Sequence, residues 1–396
     1  MSERERTKTA PEAQRGGTYE HERAASALLG YYTRDIHDLR SSVTTIGSAD
    51  RGVDIRLATA YVSAKHCRIE LRARGAMLVD HGSKNGTYRE SKRTFGLGLK
   101  ASFEEAHVGT RGVILMPGTT FVVADRDHRY IAIDPAMRTA HPALEDILGT
   151  EDEVRDIPEL VSPSDLILAA DSGGHMLITG EPGCEQETLA RIVHQISKRR
   201  CKRLVECACV PGDWQARGTL LDAVKATFLL KLSDDAERID SRFLSRLFSS
   251  ADQIRVIVLA RTVTVAHAAL GPAYVRPMMH VGLRPLARRR TAIPRLLDSW
   301  LARNGSPLRV ADLTAENQRA LRVHRWRGNL TMLRETAERL DAIIRAPEFC
   351  RNQARQALGI PRNTFFEWFR STLRLSMPLM SDERARVIRD RVREQR

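Results

Sequence analysis

The hydrophobic period of this chain changes twice along its length, and no single layer architecture absorbs all three regimes. From Ser42 to about Ile133, short apolar runs alternate with turn residues: VTTIG, DIRLA, CRIELRA, AMLVD, GVILM, TTFVVAD and RYIAID. Such runs, rich in Val, Ile and Thr and spaced about ten residues apart, predict an antiparallel β-sandwich. From about Leu160 the pattern becomes α/β. HMLITG reads as a buried strand, GEPGC as a glycine turn and ETLARIVHQISKR as the helix after it. ATFLLKL and IRVIVLA read as parallel core strands. After Arg290 the chain reads as helix throughout: AIPRLLDSWLARN, TAENQRALRVH and TMLRETAERLDAIIR, then a small helical unit over 346–396.

The 396 residues are too many for one ordinary core and suit a multidomain α+β chain. Residues 1–40 show little period before AASALLGYY and are expected to be mobile. Pro135 to Pro158 reads as a linker running into a helix. No run approaches the roughly 20 apolar residues of a membrane span, so no membrane partner is expected. The polar start MSERERTKTAPEAQRGG lacks the apolar centre of a secretory signal, which favours the cytoplasm. The six cysteines are irregularly spaced, and Cys207 and Cys209 have no second pair near them, so neither a disulfide framework nor a metal is expected. A formal charge of +14 favours polyanionic partners without distinguishing nucleic acid from phosphorylated protein.

Two loops of the β region carry the first chemistry. One is YVSAKHCRIE, with Ser63, Lys65 and His66; the other is LVDHGSKNGTY, with Asp80, Gly82, Ser83, Asn85, Gly86 and Thr87. The pair resembles the forkhead-associated (FHA) domain, whose Ser-x-x-His is followed some twenty residues later by Gly-Ser-x-Asn-Gly-Thr, and the likeness covers roughly 43–127. A phosphothreonine carries nearly two negative charges and three acceptor oxygens, so its recognition needs hydroxyl, amide and ammonium donors gathered on a rigid frame. The resemblance implies that Ser63 and Lys65 face the phosphate with Ser83 beside it, and that Asn85 holds the peptide backbone. His66 would brace the loop, and Gly86 would permit a positive-φ turn. Where the family often has Gly-Arg, this chain has Gly47 and Ser48, with Arg51 three residues on as a candidate substitute. A sandwich that docks a partner without phosphate is the alternative.

The stretch HMLITGEPGCEQETLARIVH resembles the start of the AAA+ domain of sigma-54-dependent activators, through Gly180, Glu181, Gly183, Glu187, Ala190, Arg191 and His194. VECACV, LRPLARRRTAIPRLL and HRWRGNLTMLRETAERL extend the likeness over about 145–345, as an α/β part to 290 and a helical lid over 291–345. A P-loop needs its last glycine so that amides can approach the phosphates, and a lysine to reach them. Glu185 and Gln186 occupy those places, and Lys231 and Leu232 stand where the family holds magnesium and water. The sigma-contacting loop has no counterpart between Cys207 and Ala226, and Thr331 replaces an expected arginine. The resemblance therefore implies a degenerate scaffold with no cofactor and no hydrolysis, and leaves open whether nucleotide binds without turnover. Oligomers, with itself or with activator-type AAA+ proteins, are left open.

The segment RNQARQALGIPRNTFFEWFRSTLR, with Ala354, Leu358, Gly359 and Ile360, resembles the Fis-type helix-turn-helix of the same activators. Gly359 suits the sharp turn and Pro361 the first turn of the next helix. From Asp341 onward there are twelve arginines, no lysine and seven acids, a basic unit suited to a phosphate backbone. In this docking mode Arg362, Asn363 and Thr364 would reach base edges and Arg370 a phosphate. The tail SDERARVIRDRVREQR reads as an exposed, solvated helix.

Together the motifs imply a regulator that couples an FHA domain (41–135) reading a phosphothreonine protein to DNA binding by a helix-turn-helix (346–396), across a catalytically dead AAA+ scaffold (145–290, with lid 291–345). A phosphopeptide adaptor whose last helices contact only protein, and an ATPase with unusual site residues, are the competing readings.

Overall fold

The structure is a computed structural model that describes residues 24–33, 35–72, 75–94, 102–155, 157, 159–208, 226–249, 254–346 and 349–395. The start of the expected mobile segment, Cys209 and the stretch after it lie outside these residues. Two compact units divide the chain, the first reaching Thr139 and the second beginning at Ala140.

The first unit contains two facing sheets. Six strands lie in the order β2 (Ile36–Asp38), β1 (Ala27–Gly30), β11 (Asp125–Ile133), β10 (Thr120–Val123), β7 (Thr87–Thr94) and β8 (Ser102–His107). Five more lie in the order β4 (Ile55–Arg56), β3 (Val43–Gly47), β5 (Cys67–Arg72), β6 (Gly75–Asp80) and β9 (Val113–Leu115). Pairing is antiparallel except between β3 and β4. Leu28, Ile46, Ile69, Leu78, Phe121 and Tyr130 fill the space between the sheets, which is the sandwich core the alternating runs predict.

Two expectations for this region need correction. Residues 24–40 are not a mobile lead-in, because β1 pairs with β11 from Ala27 opposite Ile133 to Gly30 opposite Tyr130. All four residues of β1 are buried, so the strand has no polar alternation to read. The boundary between the two units does fall inside the expected linker Pro135–Pro158, but most of that segment's described part is helical rather than extended. It holds helix α1 (Pro135–Leu148) and the short α2 (Glu151–Val154). Asp134 caps α1 by accepting the Met137 N–H, and Pro135 costs nothing in a first turn, where no helical partner exists for its missing N–H.

The second unit is built on five parallel strands in the order β13 (Arg203–Ala208), β14 (Ala226–Lys231), β15 (Arg255–Ala260), β12 (Met176–Thr179) and β16 (Met279–Gly282). Strands β12, β14 and β15 are almost wholly buried, as continuous apolar runs require. Around them run α3 (Pro163–Ser172), α4 (Gln186–Ile196), α5 (Ser241–Ser249), α6 (Val263–Leu270) and α7 (Pro272–Val275). The chain then continues through α8 (Ile293–Arg303), α9 (Ala315–Val323), α10 (Asn329–Arg345), α11 (Arg351–Ala357), α12 (Arg362–Glu367) and α13 (Asp382–Glu394).

The terminal helix α13 is docked rather than solvated all round, a further correction. Ala385, Ile388 and Val392 form a buried stripe at helical spacing. The segment before it is stapled to α9, with Asn317 Nδ2 donating to the Ser376 carbonyl at 3.1 Å and the Thr314 N–H donating to the Leu379 carbonyl at 2.9 Å. Its arginine count hid a three-residue apolar stripe.

Candidate functional site

The two loops singled out in the first unit are held together by their own polar groups. Gly47 ends β3 against the first loop, where a Cβ would lie 2.1 Å from the Ala64 carbonyl oxygen. That approach lets Ser48 donate through Oγ to the Val62 carbonyl at 2.7 Å and through its N–H to the Ser63 carbonyl at 3.0 Å. Ser48 therefore shapes the loop, and its hydroxyl hydrogen is spent there.

His66 is fully buried beneath the loops. Its Nδ1 accepts the Ser63 N–H at 3.0 Å, which makes Nε2 the donor to the Gly86 carbonyl at 2.9 Å. One ring thus joins the two loops across twenty residues. Gly86 has φ 77°, and a Cβ there would meet the Tyr88 hydroxyl at 2.9 Å.

Asp80 organises the second loop. Its Oδ1 accepts the N–H groups of Gly82 and Ser83 at 2.8 and 2.9 Å, and its Oδ2 accepts the hydroxyls of Ser83 and Thr87 at 2.8 and 2.6 Å. Burial works against its charge, but the Thr87 hydroxyl and the Ser83 and Gly82 groups outweigh it and hold the carboxyl below its ordinary range. Gly82 (φ 72°) and Thr87 are thus both bonded to this carboxylate. The Ser83 hydroxyl donates to Asp80, so it is committed to the loop and does not present its hydrogen to a ligand.

The outward-facing groups are fewer. Ser63 Oγ accepts the Lys84 N–H at 3.1 Å, leaving its own hydrogen free to turn outward. Asn85 Nδ2 donates to the Tyr61 carbonyl at 2.7 Å, which ties the loops a second time and leaves Oδ1 for a peptide N–H. Lys65, Arg51 and Lys84 are exposed, and none has an ion-pair partner among the described residues. A Cβ on Gly52 would lie 4.0 Å from Lys65 Cε, so the Arg51–Gly52 turn runs beside Lys65. Tyr61, 65 % exposed, stands on the same rim. Sequence reading overlooked Tyr61; an aromatic two residues before the Ser-x-x-His motif was the available sign.

Residues 44–95 match the sequence model of the FHA domain. The chain carries an FHA domain. Among curated proteins, none matches the sequence. Similar solved structures include NtrX from Brucella abortus in complex with ADP, at 18% identity and TM-score 0.38 over 58% of this chain and 63% of that one. EmbR from Mycobacterium tuberculosis in complex with a low-affinity phosphopeptide matches at 22% identity and TM-score 0.21, over 27% of this chain and 24% of that one. The P-loop NTPase domain of a sigma-54 transport activator from E. coli matches at 20% identity and TM-score 0.26, over 30% of this chain and 95% of that domain. This chain therefore spans less than two thirds of the NtrX length.

In the second unit the glycine loop follows β12. Gly180 leads it, Glu185 takes φ 67° at the turn into α4, and Gln186 Nε2 folds back to donate to the Gly180 carbonyl at 2.6 Å. Glu187, in the first turn of α4, accepts from Lys231 Nζ at 2.7 Å and from Arg191 at 2.8 Å. Lys231 also lies 2.8 Å from Glu206, and Arg191 pairs with that same carboxylate. Hydrogen bonds from Lys231 and Arg191 pull Glu187 below its ordinary range, while burial resists the charge on Lys231 but loses to its two carboxylates, which raise it. Glu206 is the residue sequence reading missed. Its sign was Lys231 itself, since a charge ending a buried strand requires a partner on the neighbouring one. Leu232 packs on the strand core, and His194 is a buried ring bonded to Thr227 Oγ1 at 3.0 Å.

At the end of the chain, Gly359 (φ 65°) makes the turn between α11 and α12. Phe365, Trp368 and Phe369 are buried beneath α12 and the wider π-turn that continues it, with Phe366 half-buried. Arg362, Asn363, Thr364 and Arg370 are all exposed. Thr364 also borders a cavity of about 360 Å³ shared with Thr331, Arg339 and Trp368. No group of His, Cys, Asp and Glu able to hold a metal occurs among the described residues, and no helix among them is long and apolar enough to cross a membrane.

Proposed function

We propose that the protein is a transcriptional regulator in which the FHA domain binds a phosphothreonine-containing protein and the terminal helix-turn-helix binds DNA, with a central scaffold that does not hydrolyse nucleotide. The observation that carries it is the pair of loops pinned by His66, which leaves Ser63, Lys65, Arg51 and Asn85 at one rim with donors and the Asn85 side-chain oxygen unspent. A phosphate there meets two unpaired cations, and the peptide beside it meets the Asn85 carbonyl.

The DNA-binding half is supported by the exposure of Arg362, Asn363 and Thr364 at the start of the helix after Gly359, with Arg370 two turns on. The absence of hydrolysis is supported by charge. Glu187 is already neutralised by Lys231 and Arg191, so it is not free to anchor magnesium, and Gln186 carries no charge toward a phosphate. Partners are then a phosphothreonine protein, DNA and, where the scaffold assembles, copies of itself or of activator-type AAA+ proteins, in the cytoplasm.

The adaptor reading has one observation in its favour: Thr364 borders a cavity against α10, where a protein segment could seat. Binding of labelled phosphothreonine peptides to the full chain, with the unphosphorylated peptides and Ser63→Ala as controls, tests the first half. Mobility shifts of duplex DNA at increasing salt test the second. A chain that binds the peptides but shifts no duplex at low salt is the adaptor.

A further inference from the structure

The glycine loop is bonded to the helical unit by groups that carry the charges of a nucleotide and its cation. Asn329, at the start of α10, donates through Nδ2 to the Pro182 carbonyl at 2.9 Å and accepts the Leu286 N–H at 2.8 Å. The Thr331 N–H donates to the Gly183 carbonyl at 3.2 Å. The contact is close enough that a Cβ on Gly183 would lie 2.2 Å from the Gly328 carbonyl oxygen. Between loop and helix sits the Glu185 carboxylate. Its Oε1 accepts the Thr331 hydroxyl at 3.3 Å and lies 3.4 Å from Arg334 Nη1, while Oε2 accepts the Thr188 hydroxyl. An anion at the mouth of a helix, held by a hydroxyl of that helix and by a hydroxyl and a guanidinium from the facing one, is the bonding pattern of a bound phosphate.

The second cluster completes the pattern. Glu187, Lys231, Glu206 and Arg191 form a closed ring in which cations and anions alternate. Two carboxylates bridged by one ammonium are what a divalent cation would otherwise join.

We infer that this is a self-ligated site: the Glu185 carboxylate takes the part of a phosphate between loop and helical unit, the Lys231 ammonium takes the part of the cation between Glu187 and Glu206, and the two halves are clamped without nucleotide. Helix α10 carries the clamp onward, since Arg339 stacks over the Trp368 ring at 5.0 Å beside α12. The terminal helices are thereby held in one placement relative to the sheet, with no nucleotide cycle to move them. The inference deepens the non-hydrolysing scaffold proposed above and is independent of phosphopeptide and DNA binding.

Hydrogen exchange on the full chain tests it, read at the Thr331 and Met332 amides with those of Val256–Leu259 as an internal reference. Glu185→Gln and Arg334→Gln are each expected to speed exchange at the first pair about tenfold with the reference unchanged, and the double variant to add little. Millimolar ATP with magnesium is expected to leave wild-type exchange unaltered. Unchanged exchange at Thr331 in both variants overturns the clamp alone and leaves the non-hydrolysing scaffold standing. Slowing of wild-type exchange there by ATP and magnesium overturns the clamp, and accompanying phosphate release overturns the scaffold as well.

Discussion

His66 Nε2 donates to the Gly86 carbonyl at 2.9 Å, so a single buried ring holds two loops whose sequences lie twenty residues apart. The same ring accepts the Ser63 N–H, leaving neither nitrogen for a ligand. His66→Ala is expected to cost about 2 kcal/mol by orphaning two buried backbone groups. It should abolish phosphopeptide binding although it touches no phosphate. Urea titration and peptide anisotropy on the same variant check both.

Asp80 gives the FHA domain an acid limit. Its folded-state pKa lies below the ordinary 3.8, so its stabilising bonds are complete above that pH and are lost as pH falls through the lower folded value. Its contribution to the urea midpoint of the first unit's transition should be present above pH 3.8 and be lost as pH falls below it. In Asp80→Asn this part of the pH dependence should disappear.

Ser48 and Arg51 should separate cleanly. Ser48→Ala removes a hydrogen bond to the Val62 carbonyl and is expected to cost about 1 kcal/mol of stability, with a modest loss of affinity. Arg51→Ala touches no described partner and should leave the urea midpoint in place. It should weaken phosphothreonine-peptide binding about tenfold, through one lost charge-assisted contact. Equal affinity losses in the two variants would contradict the assignment of Arg51 as the phosphate's second cation.

For the terminal helices the discriminating quantity is salt dependence. Arg370→Ala should weaken all duplexes alike and lower the slope of log K against log salt by about 1. Arg362→Ala should also relax sequence preference, costing about 1–3 kcal/mol on the preferred site alone. Fluorescence titration at a series of salt concentrations resolves the two.

Lys231→Met leaves Glu187 and Glu206 sharing only Arg191. Because these side chains are a third to a half exposed, the expected loss is about 1 kcal/mol or less. It should vanish at high ionic strength, where wild type and variant melt together in urea.

The order of architectures was legible wherever a period or a motif was long enough to read. Seven runs between Ser42 and Ile133 appear as strands, and HMLITG, ATFLLKL and IRVIVLA appear as parallel core strands. Strand β1 was not legible, because four apolar residues buried on both sides show no alternation. Helix α1 was hidden by its prolines: Pro135 suits a first turn, but Pro142 lies inside the helix, where proline ordinarily reads as a breaker. In the loops, His66 and Thr87 are bonded within the fold, and Gly82 and Gly86 take positive φ. Only the fold shows Asp80 capturing the Ser83 hydroxyl.

What the sequence determined by itself is which charges are present: an FHA motif with its cations, a glycine loop that carries Glu185 and Glu187 but no lysine, and a basic end. What only the tertiary structure decided is which of those charges are already satisfied. Glu187 and Glu206 meet Lys231 because parallel pairing sets β13 beside β14 and delivers α4 over their ends. Glu185 meets Arg334 because α10 packs against the loop. Partners separated by tens to hundreds of residues leave no local period or spacing to read, and the strength of an ion pair depends on the distance and solvent exposure that folding alone establishes.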